Sequence, residues 1–314
     1  LAITTHHYLG GAFYPIGGGA RIASTMARTI AEHGGAVVVR AAVDEILVSG
    51  GLARGVRLAG GREVSAPVVI SDAGARATFD HLLREPTSER ERLRAIDSGG
   101  AHVGLYLGLG RPPRELGLDG ANLWIRRDAL EAELESDGDA WARGECEEPP
   151  EMFVSSGCAA DPSFAERFPG RAVICASVGV SGNSFARWSG TVPGRRGAEY
   201  VAHKEALARG MLSLLGRHLP LDAIEHVEVS TPLSTAHFAG HADGGVFGLG
   251  PTPPRFRHGF GPHTAIAGLF LTGQDVWTSG VAGAACGGMV AACAVARRDI
   301  ASELVFAGPS PSRA

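Results

Sequence analysis

The sequence predicts an α/β protein of roughly two domains, since 314 residues exceed the usual size of one domain. Hydrophobic residues make up 45% and charged residues 20%, as in ordinary globular proteins. A continuous apolar run followed by a helical pattern occurs near each end, at 67–83 and 268–298. Such runs are typical of strands buried on both faces.

The region before residue 75 predicts a helix, a strand meander and a buried strand. Ile22, Met26 and Ile30 recur every four residues, which places them on one helical face. His33-Gly34-Gly35 would end that helix, and 36–39 is predicted as a short buried strand. Gly-Gly turns then separate three strands, because such pairs favour hairpins. The remaining elements are predicted at 43–48, 52–58, 62–64 and 68–70 (strands) and at 73–83 (helix).

The middle of the chain, about 84–240, is less regular. Strands are predicted at 102–109 and 171–178, and a helix at 194–218. The core stripe of that helix is predicted to be Leu207, Met211, Leu214 and Leu215. Near the C-terminus, a strand at 268–272 precedes a helix that ends near 298. The small residues of 281–296 favour a buried soluble helix over a membrane span.

Composition restricts the classes of partner. A net charge of -4 and a pI near 6.3 argue against nucleic acid, which requires a basic face. The five cysteines are widely spaced, so neither a disulfide framework nor a zinc pattern is expected, and a reducing cytoplasmic setting is indicated. No metal site is predicted. Glycine, at 45 residues, is about twice as frequent as usual, which predicts tight turns or a close approach of backbone to a ligand.

The most informative chemistry lies after the last predicted strand. Gly273-Gln274-Asp275 ends the strand, and the small residues of 278–284 open a helix. Backbone N–H groups there can reach a ligand directly, and the helix dipole adds partial positive charge. Asp275 can accept hydrogen bonds from hydroxyl groups. This pattern suits a polyhydroxylated, electron-rich cofactor, although close helix–strand packing also requires Gly and Ala.

The stretch 268–292, GLFLTGQDVWTSGVAGAACGGMVAA, resembles the C-terminal flavin-binding motif of the phytoene desaturase, carotenoid isomerase and retinol saturase superfamily. Its Gly-Gln-Asp form is most similar to the retinol saturase branch. The segments 231–238 and 246–256 resemble the Gly-rich substrate-side loop of the same family. Residues 14–39, which contain a triple glycine before the first helix, are similar to its central block.

The resemblance implies FAD as the cofactor. The backbone of Val43 would meet the adenine, and Asp275 would meet the ribityl or diphosphate part. The turn at 280–282 would face the isoalloxazine ring, where a helix N-terminus would stabilise a reduced, anionic flavin. The cofactor-binding positions that follow from the resemblance are Val43, Asp72, Ala73, Gly273, Gln274, Asp275, Gly280, Val281, Ala282 and Gly283.

The resemblance also implies the domain organisation. Residues 16–75 and 246–307 would form a discontinuous FAD/NAD(P)-binding, Rossmann-like domain. Residues 1–15 and 76–245 would form a mixed-sheet substrate domain, with a tail at 308–314. The Gly-x-Gly-x-x-Gly unit of the family does not occur, and the chain starts at Leu1 rather than Met. We therefore expect the C-terminal part of a longer enzyme, with apolar surface left exposed.

The resemblance implies an FAD-dependent oxidoreductase that acts on carbon–carbon bonds of a lipophilic polyene or isoprenoid of the carotenoid or retinoid type. The reaction would be flavin hydride transfer, as saturation, desaturation or isomerisation. Tyr14, His237 and Phe247 are candidate substrate contacts, and no catalytic acid or base is assigned. Two alternatives remain: an amine-oxidase-like flavoenzyme, and an inactive C-terminal fragment of a flavoprotein. The expected location is cytoplasmic, with peripheral membrane contact as an option.

Overall fold

The computed structural model describes residues 13–127, 137–241 and 243–306, so the predicted tail lies outside the described residues. The chain forms two compact units. The first comprises Leu1–Val38 and His102–Leu233, and the second comprises Val39–Ala101 and Ser234–Ala314. These boundaries differ from the predicted segments, because residues 16–38 lie in the first unit. The assignment of FAD to one domain stays a prediction.

The first unit begins with the predicted helix, α1 (Ala20–Glu32). Its apolar face is exposed rather than packed, since Ile22, Met26 and Ile30 are 38%, 56% and 43% accessible. The predicted buried strand at 36–39 is wrong. Residues 36–39 adopt no strand pairing, and Val37 to Val39 are exposed. The apolar run suggested burial, but no strand within the described ranges pairs with it.

Five strands form the sheet at the centre of the first unit: β5 (Ala101–Leu109), β6 (Leu123–Arg126), β7 (Glu151–Ser155), β8 (Ala172–Val180) and β9 (Ile224–Ser230). Their order in the sheet is β6-β7-β8-β5-β9. The β6–β7, β7–β8 and β5–β9 pairs are antiparallel. Alternate residues of β5 face the core, and Val103, Leu105 and Leu107 are at most 1% exposed.

The long helix α7 (Ala198–Leu215) buries the whole predicted core stripe. It begins later than predicted because Gly194 and Gly197 have φ of 78° and 90°, outside the helical region. The shorter helices of this part of the chain are α4 (Asp137–Arg143), α5 (Gly157–Ala160), α6 (Phe164–Arg167) and α8 (Pro232–Ala239), with 3₁₀ turns at Pro113–Leu116 and Gly182–Trp188.

The second unit contains the predicted meander and a short parallel pair. The meander is antiparallel, in the order β1 (Val43–Ser49), β2 (Leu52–Leu58) and β3 (Glu63–Ser65). β4 (Val69–Ser71) pairs in parallel with β10 (Leu269–Leu271), although the chain separates them widely. The helical elements are α2 (Ala77–Leu82, a π-helical segment), α3 (Ser88–Leu93), α9 (Pro253–Arg257), α10 (Gly280–Ala296) and α11 (Ile300–Phe306).

The core of the second unit brings together side chains from both of its sequence segments. Phe79 of α2 lies 6.2 Å from Phe260, measured between ring centroids. Leu269 and Leu271 of β10 are buried in the same cluster, at 1% and 2% exposure. This packing fixes β4 and β10 side by side, so the residues that follow both strands meet at one edge. No helix within the described residues is long and apolar enough to cross a bilayer.

Replacing Gly55 with alanine tests the meander. A Cβ at Gly55, where φ is +140°, would lie 2.1 Å from the Val64 carbonyl oxygen of the paired strand. We expect a loss of about 3 kcal/mol in urea unfolding, from overlap and strain together. Gly61→Ala is the control, because its Cβ would meet nothing within 4 Å, and we expect a loss of about 1 kcal/mol. Equal losses would contradict the close approach of β2 and β3.

Candidate functional site

The carboxyl ends of β4 and β10 form one edge of the candidate site. Asp72 follows β4, and Gly273 follows β10 with a φ of +82°. A Cβ on Gly273 would lie 1.8 Å from Asp72 Oδ1, so any larger residue would displace the Asp72 side chain. The left-handed φ of Gly273 is what favours glycine at this position. Because β4 and β10 pair in parallel, the structure brings Asp72 close to Gly273 and to the turn that leads to Asp275.

Helix α10 rests on this edge through a stripe of small residues. A Cβ on Gly287 would lie 2.1 Å from the Gly273 carbonyl oxygen, and one on Gly283 would lie 1.9 Å from the Thr278 carbonyl oxygen. Gly283, Gly287 and Ala291 are the buried residues of the helix. The predicted buried helix is therefore buried along this small-residue stripe alone, and Val281 at its start is 72% exposed.

The N-terminus of α10 has unused hydrogen-bonding capacity. Ser279 is the N-cap residue, but its side chain makes no capping bond. Its Oγ is buried and has no hydrogen-bond partner within the described chain. The Gly280 N–H donates to Gln274 Oε1 at 3.5 Å, and the next N–H groups belong to a first turn that has no intrahelical acceptors. The predicted turn at 280–282 thus presents donors that a ligand can use.

Asp275 is buried and bonded to backbone. Its Oδ2 accepts the Ala75 N–H at 2.7 Å, and its Oδ1 accepts the Leu249 N–H at 2.8 Å. The equally buried Arg255 donates to the carbonyls of Leu249 and Gln274, each at 2.5 Å. The backbone of Leu249 is therefore held by two opposite charges: its N–H bonds to Asp275 and its carbonyl oxygen bonds to Arg255. The predicted contact between Asp275 and FAD would have to use the remaining lone pairs of the carboxylate, and it stays a prediction.

The two carboxylates at this edge affect each other. Partial desolvation, reinforced by the nearby charge of Asp275, raises the pKa of the largely exposed Asp72 above its usual value. Burial lowers the pKa of Arg255, although the negative charge of Asp275 acts to raise it. The folded chain therefore favours the ionised form of Asp72 less than the unfolded chain does.

Asp72→Asn is expected to raise the Tm at pH 7. A raised pKa in the folded state means that Asp72 contributes stability below its ordinary value of 3.8, and that this contribution is lost as the pH rises through the raised value. Asparagine imitates the neutral form, so the gain in Tm should shrink as the pH approaches 3.8. Thermal unfolding from pH 3 to 8 checks this, and a lower Tm of the variant at pH 7 would contradict it.

A cavity of about 350 Å³ lies in the second unit, next to Asp275. Ala73, Gly74 and Leu249 contribute its apolar wall, while His241 and Asp243 contribute polar groups. Nδ1 of His241 lies 2.5 Å from the Gly245 carbonyl oxygen, and Asp243 Oδ1 accepts the Gly245 N–H at 3.0 Å. Sequence reasoning missed His241, Asp243 and Arg255. The only available signal was their place in the Gly-rich loop, which does not reveal their neighbours.

The other predicted positions are spread over both units. Val43 begins β1, opposite Leu58, and is 38% exposed. Tyr14, in the first unit, packs against the backbone of Gly157. His237 and Phe247, in the second unit, are exposed, and neither lines the cavity beside Asp275. The substrate roles of Tyr14, His237 and Phe247 stay predictions.

Curated relatives align with nearly the whole chain. An all-trans-retinol 13,14-reductase of Danio rerio is 31% identical over 317 residues, which cover 96% of this chain and 52% of that protein. A chloroplastic prolycopene isomerase of Arabidopsis thaliana is 29% identical, covering 94% of this chain and 47% of that protein. The chain thus spans about half the length of the curated relatives it matches. No protein-family model matches the sequence.

Solved structures show the same fold. An oxidoreductase from Methanosarcina mazei superposes with a TM-score of 0.58 at 18% identity, covering 90% of this chain and 55% of that one. Cyclohexylamine oxidase from Brevibacterium oxydans gives a TM-score of 0.54 at 17% identity, covering 89% and 52%. The predicted fold class, α/β of the FAD/NAD(P)-binding type, is confirmed. These relatives confirm the predicted resemblance to the phytoene desaturase, carotenoid isomerase and retinol saturase superfamily, and in particular to its retinol saturase-like branch.

Proposed function

We propose that this chain supplies the flavin-facing part of an FAD-dependent oxidoreductase that acts on carbon–carbon bonds of a lipophilic polyene. The N-terminus of α10 carries the proposal. A 17-residue helix opens with an uncapped first turn and with a buried Ser279 hydroxyl that has no partner in the described chain. Such a hydroxyl costs free energy unless a ligand or water satisfies it.

The residues at this turn fit FAD. Gly280 leaves the approach open, since a Cβ there would meet nothing within 4 Å. The Ser279 hydroxyl and the N–H groups of Val281 and Ala282 would hold the carbonyl-rich edge of the isoalloxazine ring. FAD, when bound, supplies hydride transfer. The positive end of the helix dipole would favour electron density on the ring. Gln274 would hold the turn in place through its contact with the Gly280 N–H.

The names of the relatives support a polyene substrate. One relative is named for retinol and another for prolycopene, and both compounds are conjugated isoprenoids. We infer a carotenoid- or retinoid-type substrate that undergoes saturation, desaturation or isomerisation. A small lipophilic molecule is then the main partner. Peripheral contact with membranes, from which such a molecule would be drawn, belongs to the same proposal.

Anaerobic spectroscopy of the full chain loaded with FAD tests the substrate class. All-trans-retinol and a carotenoid are added to the oxidised and to the reduced flavin, with a primary amine as the comparison. We expect a polyene to change the flavin spectrum in one redox state, or to emerge isomerised on chromatography, while the amine does nothing. Reduction of the oxidised flavin by the amine alone would support the amine-oxidase-like alternative instead. Inertness toward all three compounds would support the inactive-fragment alternative.

A further inference from the structure

We propose that Cys158 and Cys175 form an oxidative modification site, at which hydrogen peroxide converts the two thiols into a reversible disulfide bond. The inference goes beyond the proposed function and does not depend on it, because both residues belong to the first unit and the flavin-facing turn belongs to the second. All five cysteines of the chain are free thiols in the structure, so the reduced pair is the starting state.

The pairing of β7 with β8 brings the two cysteines to one place in the sheet. Ser155, the last residue of β7, lies opposite Cys175 of β8. The chain then turns into α5, and Cys158 is the second residue of that helix. Opposite residues of antiparallel strands have α-carbons about 4.5–5.5 Å apart. Cys158 follows the residue that faces Cys175 by only three positions, so the turn keeps the two cysteines near each other.

Hydrogen bonds hold the Cys158 sulfur against β8. The Val173 N–H donates to Cys158 Sγ at 3.2 Å, and the thiol donates to the Val173 carbonyl oxygen at 3.4 Å. Ser156 Oγ lies 3.2 Å from the same sulfur. The sulfur therefore takes the place at which a further residue of β7 would pair with Val173. Val173 precedes Cys175 by two positions, which is about 7 Å along a strand.

Cys175 points away from the core of the first unit. Its neighbours Ile174 and Ala176 are 0% and 3% exposed, and successive residues of a strand project from opposite faces. Cys175 therefore shares the other face of β8 with Val173, which is 37% exposed. Cys158 and Cys175 are both half-buried. A small oxidant can reach the pair from this side of the sheet.

The two thiols are suited to different roles. Burial first, and then the neighbouring Cys158, raise the pKa of the Cys175 thiol above its usual value, so Cys175 stays protonated at neutral pH. The Cys158 sulfur instead accepts a backbone N–H, which favours negative charge on it. Among the five cysteines, Cys158 alone accepts a backbone N–H from the described residues. Cys158 is therefore the thiol that reacts first, and Cys175 completes the bond.

Two balanced steps form the bond. The Cys158 thiolate attacks one oxygen of hydrogen peroxide, and the O–O bond breaks. This step leaves a sulfenic acid on Cys158, and the departing hydroxide takes up the thiol proton to become water. The Cys175 sulfur then gives up its proton and attacks the Cys158 sulfur, which forms the S–S bond and releases a second water molecule. The two thiols lose two electrons, and hydrogen peroxide gains them.

Peptide mapping of the full chain under non-reducing conditions is the first test. Trypsin cuts between the two cysteines, at Arg167 and Arg171, and a glutamate-specific protease separates Cys146 from Cys158. After treatment with hydrogen peroxide, we expect the peptides of Cys158 and Cys175 to be joined, and to separate again on reduction with dithiothreitol. The same treatment in urea should give mixed pairings. A folded chain that keeps both thiols free, or that joins other cysteines, would overturn the proposal.

Single variants test the order of the two steps. Cys175→Ser removes the second thiol, so a sulfenic acid should accumulate on Cys158, where dimedone traps it at least about fivefold more than at any other cysteine. Cys158→Ser keeps a hydroxyl beside Val173 and should leave Cys175 unpaired. Cys146→Ser is the matched control, because Cys146 is also half-buried in the first unit, and it should form the bond as the native chain does. Even labelling of the cysteines, or a bond lost in Cys146→Ser, would contradict the pair.

Discussion

Gly287→Ala is expected to destabilise the second unit by about 3 kcal/mol and to abolish retention of FAD. The added Cβ would lie 2.1 Å from the Gly273 carbonyl oxygen, which is backbone and cannot move aside cheaply. Helix α10 would have to lift from the edge where β4 and β10 end. Its first turn would then lose its position relative to Asp72 and Asp275.

Gly288→Ala is the matched control for this prediction. Its Cβ would make only an ordinary contact, 3.9 Å from Thr272 Oγ1. Alanine is a better helix former than glycine, so this change should stabilise the chain by up to about 1 kcal/mol. Urea unfolding of both variants measures the difference. Similar stabilities for the two variants would contradict the packing of α10 on Gly273.

Asp275→Ala is the second change with a large expected effect, a loss of about 4 kcal/mol. It leaves the buried N–H groups of Ala75 and Leu249 without an acceptor. It also leaves the buried Arg255 without an opposite charge nearby. The loop that carries Leu249 and the segment at Ala75, just before α2, should both become mobile.

Asp275→Asn distinguishes the contribution of the charge to stability from the contribution of the hydrogen bonds. Asparagine keeps one carbonyl oxygen but turns an NH₂ group toward the second N–H donor, so we expect about half the loss, near 2 kcal/mol. Hydrogen exchange at Ala75 and Leu249 provides the local readout, and it should increase most in the alanine variant. Unchanged exchange at both amides would show that Asp275 does not hold these segments.

Local sequence patterns predicted the elements whose formation depends on neighbouring residues. The spacing of Ile22, Met26 and Ile30 identified α1, and Gly-Gly turns identified the meander. The strand predicted at 36–39 failed because an apolar run does not specify a partner strand. The burial of α10 was overestimated because hydropathy does not distinguish a close-packed glycine stripe from an exposed apolar face. Strands β6, β7 and β9 were missed because their short runs lack a clear alternation.

The motif at 273–283 located the candidate site, but its contacts could not be read from the sequence. Asp275 was expected to face a cofactor, and the structure shows two backbone amides on its carboxylate. Ala75 lies 200 positions from Asp275 in the chain, so the hydrogen bond between them is visible only in the folded second unit. The same applies to His241, whose Nδ1 contacts the carbonyl oxygen of Gly245.

Titration of FAD into the full chain and into Val281→Asp tests the central claim most directly. Val281 is 72% exposed in the first turn of α10, where a carboxylate should stabilise the free helix slightly through its dipole. The same carboxylate would repel the electron-rich edge of the flavin. We predict unchanged or higher stability together with FAD binding weakened at least about tenfold, while the neutral Val281→Asn variant binds normally. Equal FAD affinity in all three proteins would contradict a flavin at this helix.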